Sequence, residues 1–235
     1  MVAQDETVLG QLAEAMVDVS ELLQEPAKLD ETLELITRGT ADTVPGILEV
    51  SISITRRDGT IDTLAPSGPL AVEADRLQYE LHEGPCLDAA LEEPVVIVND
   101  LATDPRWPLF GPKAADLGIG SQVAFQFRAE PHVRGALNLY AGEPGSIDQD
   151  AIHLGSLFAA QTAVAMGWAR QEQSLTEALA TRNQIGQAVG LVMERYSLDA
   201  DRAFAFLVRL SQTSNTKLRE VAAALVDAAN NNAKR

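Results

Sequence analysis

The chain has 235 residues, 46% of them hydrophobic, which suits one large or two small packed domains and excludes wholesale disorder. With 34 acidic against 18 basic side chains its formal charge is −16, a balance that taken whole argues against a nucleic-acid partner. One cysteine excludes an internal disulfide framework and fits a reducing compartment. The start MVAQDETVLGQLAEAM has early acids and no secretory pattern, and no run reaches the ~18 apolar residues of a membrane span. A cytoplasmic protein with no membrane partner is expected.

Apolar residues at helical spacing predict a helix over Val8–Leu23, stopped by Pro26, and another over Leu29–Val44, ended by Pro45-Gly46. The period then falls to two. Leu48, Val50, Ile52 and Ile54 mark one face of a strand over Ile47–Arg57, Asp58-Gly59 signals a type I′ hairpin, and Ile61–Ala65 returns. Val72–Leu81 reads as a short helix, Gly84-Pro85-Cys86 as its break, and Leu87–Leu91 as another helical turn. PVVIV at Pro94–Val98 reads as a buried strand. NDLATDPRWPLFG is a loop holding Trp107, and Ala114–Leu117 a short helix. Gln122–Arg128 and Val133–Tyr140 form a second hairpin across Glu130-Pro131. Hairpins interleaved with helices predict an α+β domain: an antiparallel sheet flanked by helices.

Beyond Asp148 strand signals cease. Apolar residues run on from Leu154 to Tyr196, either as one helix of about 47 residues or as two joined near Gln171–Ser174. Leu154, Phe158, Ala165, Trp168, Leu175 and Leu179 fall on alternating three- and four-residue steps, with Gln161 and Glu172 on the same seam. That is a pattern for a two-stranded coiled coil and hence a homodimer. Asp199 can cap a further helix, with Leu198 as staple, whose apolar face is Ala203, Phe204, Leu207 and Leu210. A last helix after Asn215 or Thr216 buries Leu218, Val221, Ala222 and Leu225. The expected domains are residues 1–170 and a three-helix unit over 171–230.

Nothing marks a catalytic or metal centre. His82, His132 and His153 lack ligand spacing, and no GxSxG, Walker A or GxGxxG occurs. Cys86, in GPCLDA, is either a buried small hydrophobe or a nucleophile. The charge is more informative by segment: +2 from Leu175 onward, −18 before it. In that tail Gly186 and Gly190 each cost roughly 1 kcal/mol in a helix interior. Close approach of another helix, or of nucleic acid, would offset it. Lys217 and Arg219 stand in the first turn of the last helix, where the dipole disfavours cations. They are either simply solvated or, with Asn215 and Thr216, half of an anion site whose natural occupant is phosphate.

The run RNQIGQAVGLVMERYSLDADRAFAFLVRLSQTSNTKLREVAAALV resembles an ANTAR domain, an RNA-binding antitermination module, from Gln184 to Val226. LQYELHEGPCLDA, with RWPLF and GALNLYA after it, resembles the GAF domains that precede ANTAR in actinobacterial regulators, over roughly residues 8–168. The resemblance implies an N-terminal GAF sensor or dimerisation domain, a long connecting helix, and a C-terminal all-α three-helix ANTAR domain. It also implies that a dimer binds tandem stem-loops in nascent RNA and keeps a terminator hairpin from forming. RNA polymerase is then affected only through the transcript. By position the RNA face comprises Arg182, Gln187, Gly190, Arg209, Asn215, Thr216, Lys217 and Arg219. Val189 departs from the family, many members of which have lysine there. GAF pockets elsewhere hold cyclic nucleotides, haem or bilins, yet no resident cofactor is marked here; Tyr79, Cys86, Trp107 and Phe125 are the candidate pocket residues. The competing readings are a small-molecule or redox sensor whose helical tail serves dimerisation or protein docking, and an enzyme using Cys86.

Overall fold

The computed structural model describes residues 17, 29–56, 58–129 and 133–233. The helix expected over Val8–Leu23 lies outside them save for Val17. The chain divides into two compact units, Met1–Arg170 and Gln171–Arg235.

The first unit contains, in order, α1 (Leu29–Thr43), β1 (Ile47–Thr55), β2 (Ile61–Leu64), α2 (Pro69–Leu81), α3 (Pro85–Leu91), β3 (Val95–Val98), α4 (Phe110–Asp116), β4 (Ser121–Ala129) and β5 (Val133–Ala141), then the start of α5 (Gln149–Tyr196). The five strands form one antiparallel sheet in the order β2-β1-β5-β4-β3. Alternate residues point to opposite faces, and both faces are covered. On one, Val50, Ile52, Phe125, Leu137 and Leu139 pack against Leu33 and Ile36 of α1 and Leu154 and Phe158 of α5. On the other, Ala124, Ala136 and Tyr140 pack against alanines of α2 and α3 and Phe110 of α4. Gly135 in β5 has no room for a side chain: an added Cβ would lie 2.1 Å from the Ser53 carbonyl oxygen.

Several local expectations need correction. Leu48 does not share the buried face of β1; it is 53% exposed, because a register shift between Ile47 and Glu49 breaks the alternation. The first hairpin closes through Arg56 N–H to the Thr60 carbonyl and Gly59 N–H to the Arg56 carbonyl, so its loop has three residues. Of the described residues there Gly59 takes a positive φ (+87°) and Asp58 does not, so the Asp58-Gly59 pair is not a type I′ turn, which needs positive φ at both. Strand β3 is an edge strand with Val95 exposed, not a buried one. Gly84-Pro85 starts a helix instead of only breaking one, since proline suits the first helical position.

The second unit comprises the end of α5, α6 (Ala200–Ser214) and α7 (Leu218–Ala233). Its core is small: Ala188, Val192, Ala203, Leu207, Val221 and Ala222 are buried, with Ile185, Val189, Leu218 and Leu225 packed around them. Asp199 caps α6 by accepting the Arg202 N–H at 2.8 Å. Phe204 and Leu210, expected in this core, are exposed, because Ala203 and Leu207 already fill the contact.

Helix α5 is a single element of 48 residues, with no break at 171–174. Its seam is split in use. Leu154, Phe158 and Ala165 are consumed by the sheet-side core. Trp168, Leu175 and Leu179 remain 53%, 60% and 57% exposed. Among the described residues no helix is long and apolar enough to cross a membrane.

Candidate nucleic-acid interface

The turn between α6 and α7 is built by backbone demands first. Asn215 takes a left-handed conformation (φ 51°), which asparagine tolerates better than most side chains. Thr216 N–H then reaches the Ser211 carbonyl at 3.1 Å, completing a Schellman closure of α6. The Ser211 hydroxyl adds a hydrogen bond to the Thr216 carbonyl at 2.6 Å. Asn215 and Thr216 therefore finish α6 instead of capping α7, as was expected of them. The cap position of α7 falls to Lys217, whose carbonyl accepts from the Glu220 and Val221 N–H groups at 2.8 and 3.1 Å. Lysine carries no acceptor in its side chain. No side chain among the described residues caps α7, so its positive end is left open beside Lys217 and Arg219.

Arg219 and Arg182 come from α7 and α5, yet both line one groove of roughly 530 Å³. Ser174, Glu177, Ala178, Thr181 and Ile185 of α5 and Phe204 of α6 line it with them. Arg182, Arg209, Lys217 and Arg219 are exposed, and none has an ion-pair partner among the described residues. Gln187 and Gly190 lie further along α5, also exposed. Gly186 and Gly190 have nothing within 4 Å of an added Cβ. Close packing of a helix within this unit therefore does not explain them. Val189 faces the small core, where a lysine ammonium would have to reach outward to stay solvated. Sequence reasoning placed Phe204 in the core and missed the groove. The available signal was the run of alanines at the buried positions, too slim a core to cover a phenylalanine beside it.

The candidate pocket residues of the first unit do not converge. Phe125 lies in the cluster under α1 and α5, whereas Trp107 lies in the cluster on the opposite face of the sheet, so one pocket cannot use both. Trp107 donates its indole N–H to Asp88 at 3.0 Å, and the Arg106 guanidinium sits 4.2 Å over its ring. Tyr79 and Cys86 do meet, in a buried polar cluster on the Trp107 side. The register sets Thr63 beside Ser53 and Ser51 beside Asn138. Thr63 donates to the Asp75 carboxylate at 2.8 Å. Its oxygen must then accept from Tyr79, at 3.0 Å, and Tyr79 in turn from Ser53, at 2.8 Å. Ser53 accepts the Cys86 thiol at 3.0 Å and the Asn138 amide at 2.8 Å. A single chain of donors thus runs from Cys86 to Asp75. Tyr140 also donates to Asp75.

Burial pushes the Asp75 carboxyl up to about 6, with the hydrogen bonds from Tyr140, Ser51 and Thr63 opposing it. Burial, then the neighbouring Asp75 charge, pushes the Cys86 thiol up to about 12. A nucleophile needs an accessible thiolate; Cys86 is protonated and fully buried. Among the described residues no group of three or more His, Cys, Asp or Glu is arranged to hold a metal ion.

A five-stranded antiparallel sheet covered on both faces, followed by a small helical module, defines an α+β protein of two modules. Solved structures share the fold of about 70% of this chain, over most of their own length, at low identity. They include the GAF domain of a phosphoenolpyruvate-protein phosphotransferase from Coxiella burnetii (14% identity, 70% of this chain and 97% of that one, TM-score 0.56). The LuxR family transcription factor CepR2 from Burkholderia cenocepacia gives 16%, 72% and 99%, with a TM-score of 0.54. A free methionine-R-sulfoxide reductase from Neisseria meningitidis gives 16%, 68% and 91%, with a TM-score of 0.53. No curated protein matches the chain. The family models are decisive: the GAF domain model matches residues 26–167 and the ANTAR domain model residues 173–226. The chain belongs to the GAF–ANTAR family, with an N-terminal GAF domain and a C-terminal ANTAR domain. GAF domains are sensors and ANTAR domains RNA-binding antiterminators, so the architecture is that of a regulator.

Proposed function

We propose that this protein is an RNA-binding antitermination regulator. Its ANTAR domain, residues 171–230, holds tandem stem-loops of nascent RNA as a homodimer and so keeps a terminator hairpin from forming. Its GAF domain, residues 1–170, senses the signal or aids dimerisation. RNA polymerase is reached only through the transcript. The observation that carries the reading is the convergence of Arg182 and Arg219 on one groove, in the segment that escapes the acidity of the rest. Lys217, beside the uncapped start of α7, and Gln187, Gly190, Arg209, Asn215 and Thr216 are proposed as further RNA contacts; none of these residues lines the groove itself. Phosphate contacts of this kind anchor RNA, while unpaired bases carry identity. The exposed Leu175 and Leu179 supply apolar contact on α5 for the partner copy.

The test is a titration of tandem-hairpin RNA against the full chain at several salt concentrations. Each lost phosphate contact lowers the slope of log K against log salt by about 1. Lys217→Ala with Arg219→Ala is expected to lower it by about 2 and to weaken binding. An unchanged slope would show that these cations touch no phosphate.

A further inference from the structure

We propose that Phe204 is the stacking platform for one unpaired base of the bound RNA, with Arg182 and Arg219 holding the phosphates on either side of it. This rests on the RNA-binding reading above and adds to it the part of the RNA that enters the groove: a loop nucleotide, not the stem.

Three large aromatic side chains are exposed in the second unit: Tyr196, Phe204 and Phe206. Two account for each other, since the Tyr196 and Phe206 rings pack with centroids 5.3 Å apart. Phe204 has no ring partner among the described residues and is 45% exposed. It sits two positions from Phe206 on α6, so the two rings point to different sides of the helix. Its side faces the groove shared with Arg182 and Arg219. An apolar protein segment would be a poor occupant, because it would strip water from two permanent cations and from the Glu177 carboxylate that lines the groove with them. A nucleotide satisfies both features together: its base covers the ring and its phosphates meet the guanidinium groups. The Thr181 and Ser174 hydroxyls on the same wall can each donate or accept, as a base edge requires. A paired stem hides its base faces within the stack. Only a loop or bulge can offer one, and the roughly 530 Å³ falls within the range of built small-ligand sites.

The experiment uses the full chain and a pool of synthetic tandem-hairpin RNAs with randomised loops, from which the tightest binder is carried forward. Phe204→Ala is expected to weaken binding by about 5- to 150-fold while leaving the salt slope unchanged, because stacking releases no counterions. Phe204→Tyr, which keeps the ring, restores most of the affinity. Abasic substitution along each loop finds one position at which wild type and Phe204→Ala bind equally. Far-ultraviolet circular dichroism confirms that the exposed substitution leaves helicity intact. If Arg182→Ala and Arg219→Ala lower the slope but Phe204→Ala binds as wild type, the stacking role falls and the RNA reading stands. If Phe204→Ala loses affinity equally for every abasic probe, no base contact exists and the proposal is overturned. If no RNA in the pool binds wild type, both readings fall together. If Phe204→Ala alters only the oligomeric state, the groove is a contact between copies and the proposal is wrong.

Discussion

Gly186 and Gly190 offer a clean separation of stability from binding. Each lies inside α5, and an added Cβ at either would meet nothing within 4 Å. Neither has the positive φ that would demand glycine. Replacing glycine by alanine in such a setting removes unfolded-chain entropy without steric cost, worth about 1 kcal/mol per site. The pair Gly186→Ala and Gly190→Ala should therefore stabilise the helix by about 2 kcal/mol. Hydrogen exchange read on peptides covering 183–207 reports it directly, as a roughly 30-fold rise in protection where opening is local. If the glycines keep the surface clear for a close-lying phosphate backbone, the same variant binds the selected RNA more weakly. Greater protection with unchanged RNA affinity would refute the idea that the two glycines serve binding. Reduced protection would refute the packing argument itself.

Three further outcomes follow from the structure. Asp75 is raised from 3.8 to about 6, so its folded state holds the proton more tightly. Stability from this group is complete below pH 3.8 and falls by about 3 kcal/mol as pH rises through 6. Urea midpoints of wild type should decline across that window while those of Asp75→Asn stay flatter; parallel curves would show that Asp75 is not the titrating group. Gly135→Ala drives a Cβ to 2.1 Å from the Ser53 carbonyl and 2.5 Å from the Phe127 ring, and a backbone oxygen in a central pairing cannot yield. A loss of about 3 kcal/mol or more is expected, read by chemical denaturation, and an unchanged midpoint would contradict it. Leu175→Gln with Leu179→Gln should shift wild-type dimers toward monomer in light scattering over a dilution series; a wild type monomeric throughout would remove the dimer from the proposal.

Much of the fold was legible because its signals are local. Alternation at Val50 and Ile52 and the helical spacing of Leu33 and Ile36 are written within a few residues. So is the Asp199 cap. The family motifs from Gln184 to Val226 and around Cys86 were also plain, and with them the paired identity of the two domains. Less legible were the consequences of pairing across the chain. Leu48 kept its place in the alternating pattern but lost its face to a register shift against β5. Phe125 and Trp107 were grouped, with Tyr79 and Cys86, as candidate pocket residues. Which side of a doubly covered sheet each occupies depends on the helices laid over it.

The same division holds at the candidate site. By itself the sequence determined that cations collect in the tail, that two glycines lie within its first helical stretch and that a turn separates the last two helices. These are matters of composition and local chemistry. Only the tertiary structure decided that Arg182 and Arg219 share a groove, that Phe204 stands in it uncovered, and that Asn215 serves the end of one helix instead of the start of the next. The physical reason is common to all three. A helix face is fixed by its own spacing, but what covers that face depends on the volume left by its neighbours. The alanines at 188, 203 and 222 left too little core to bury it.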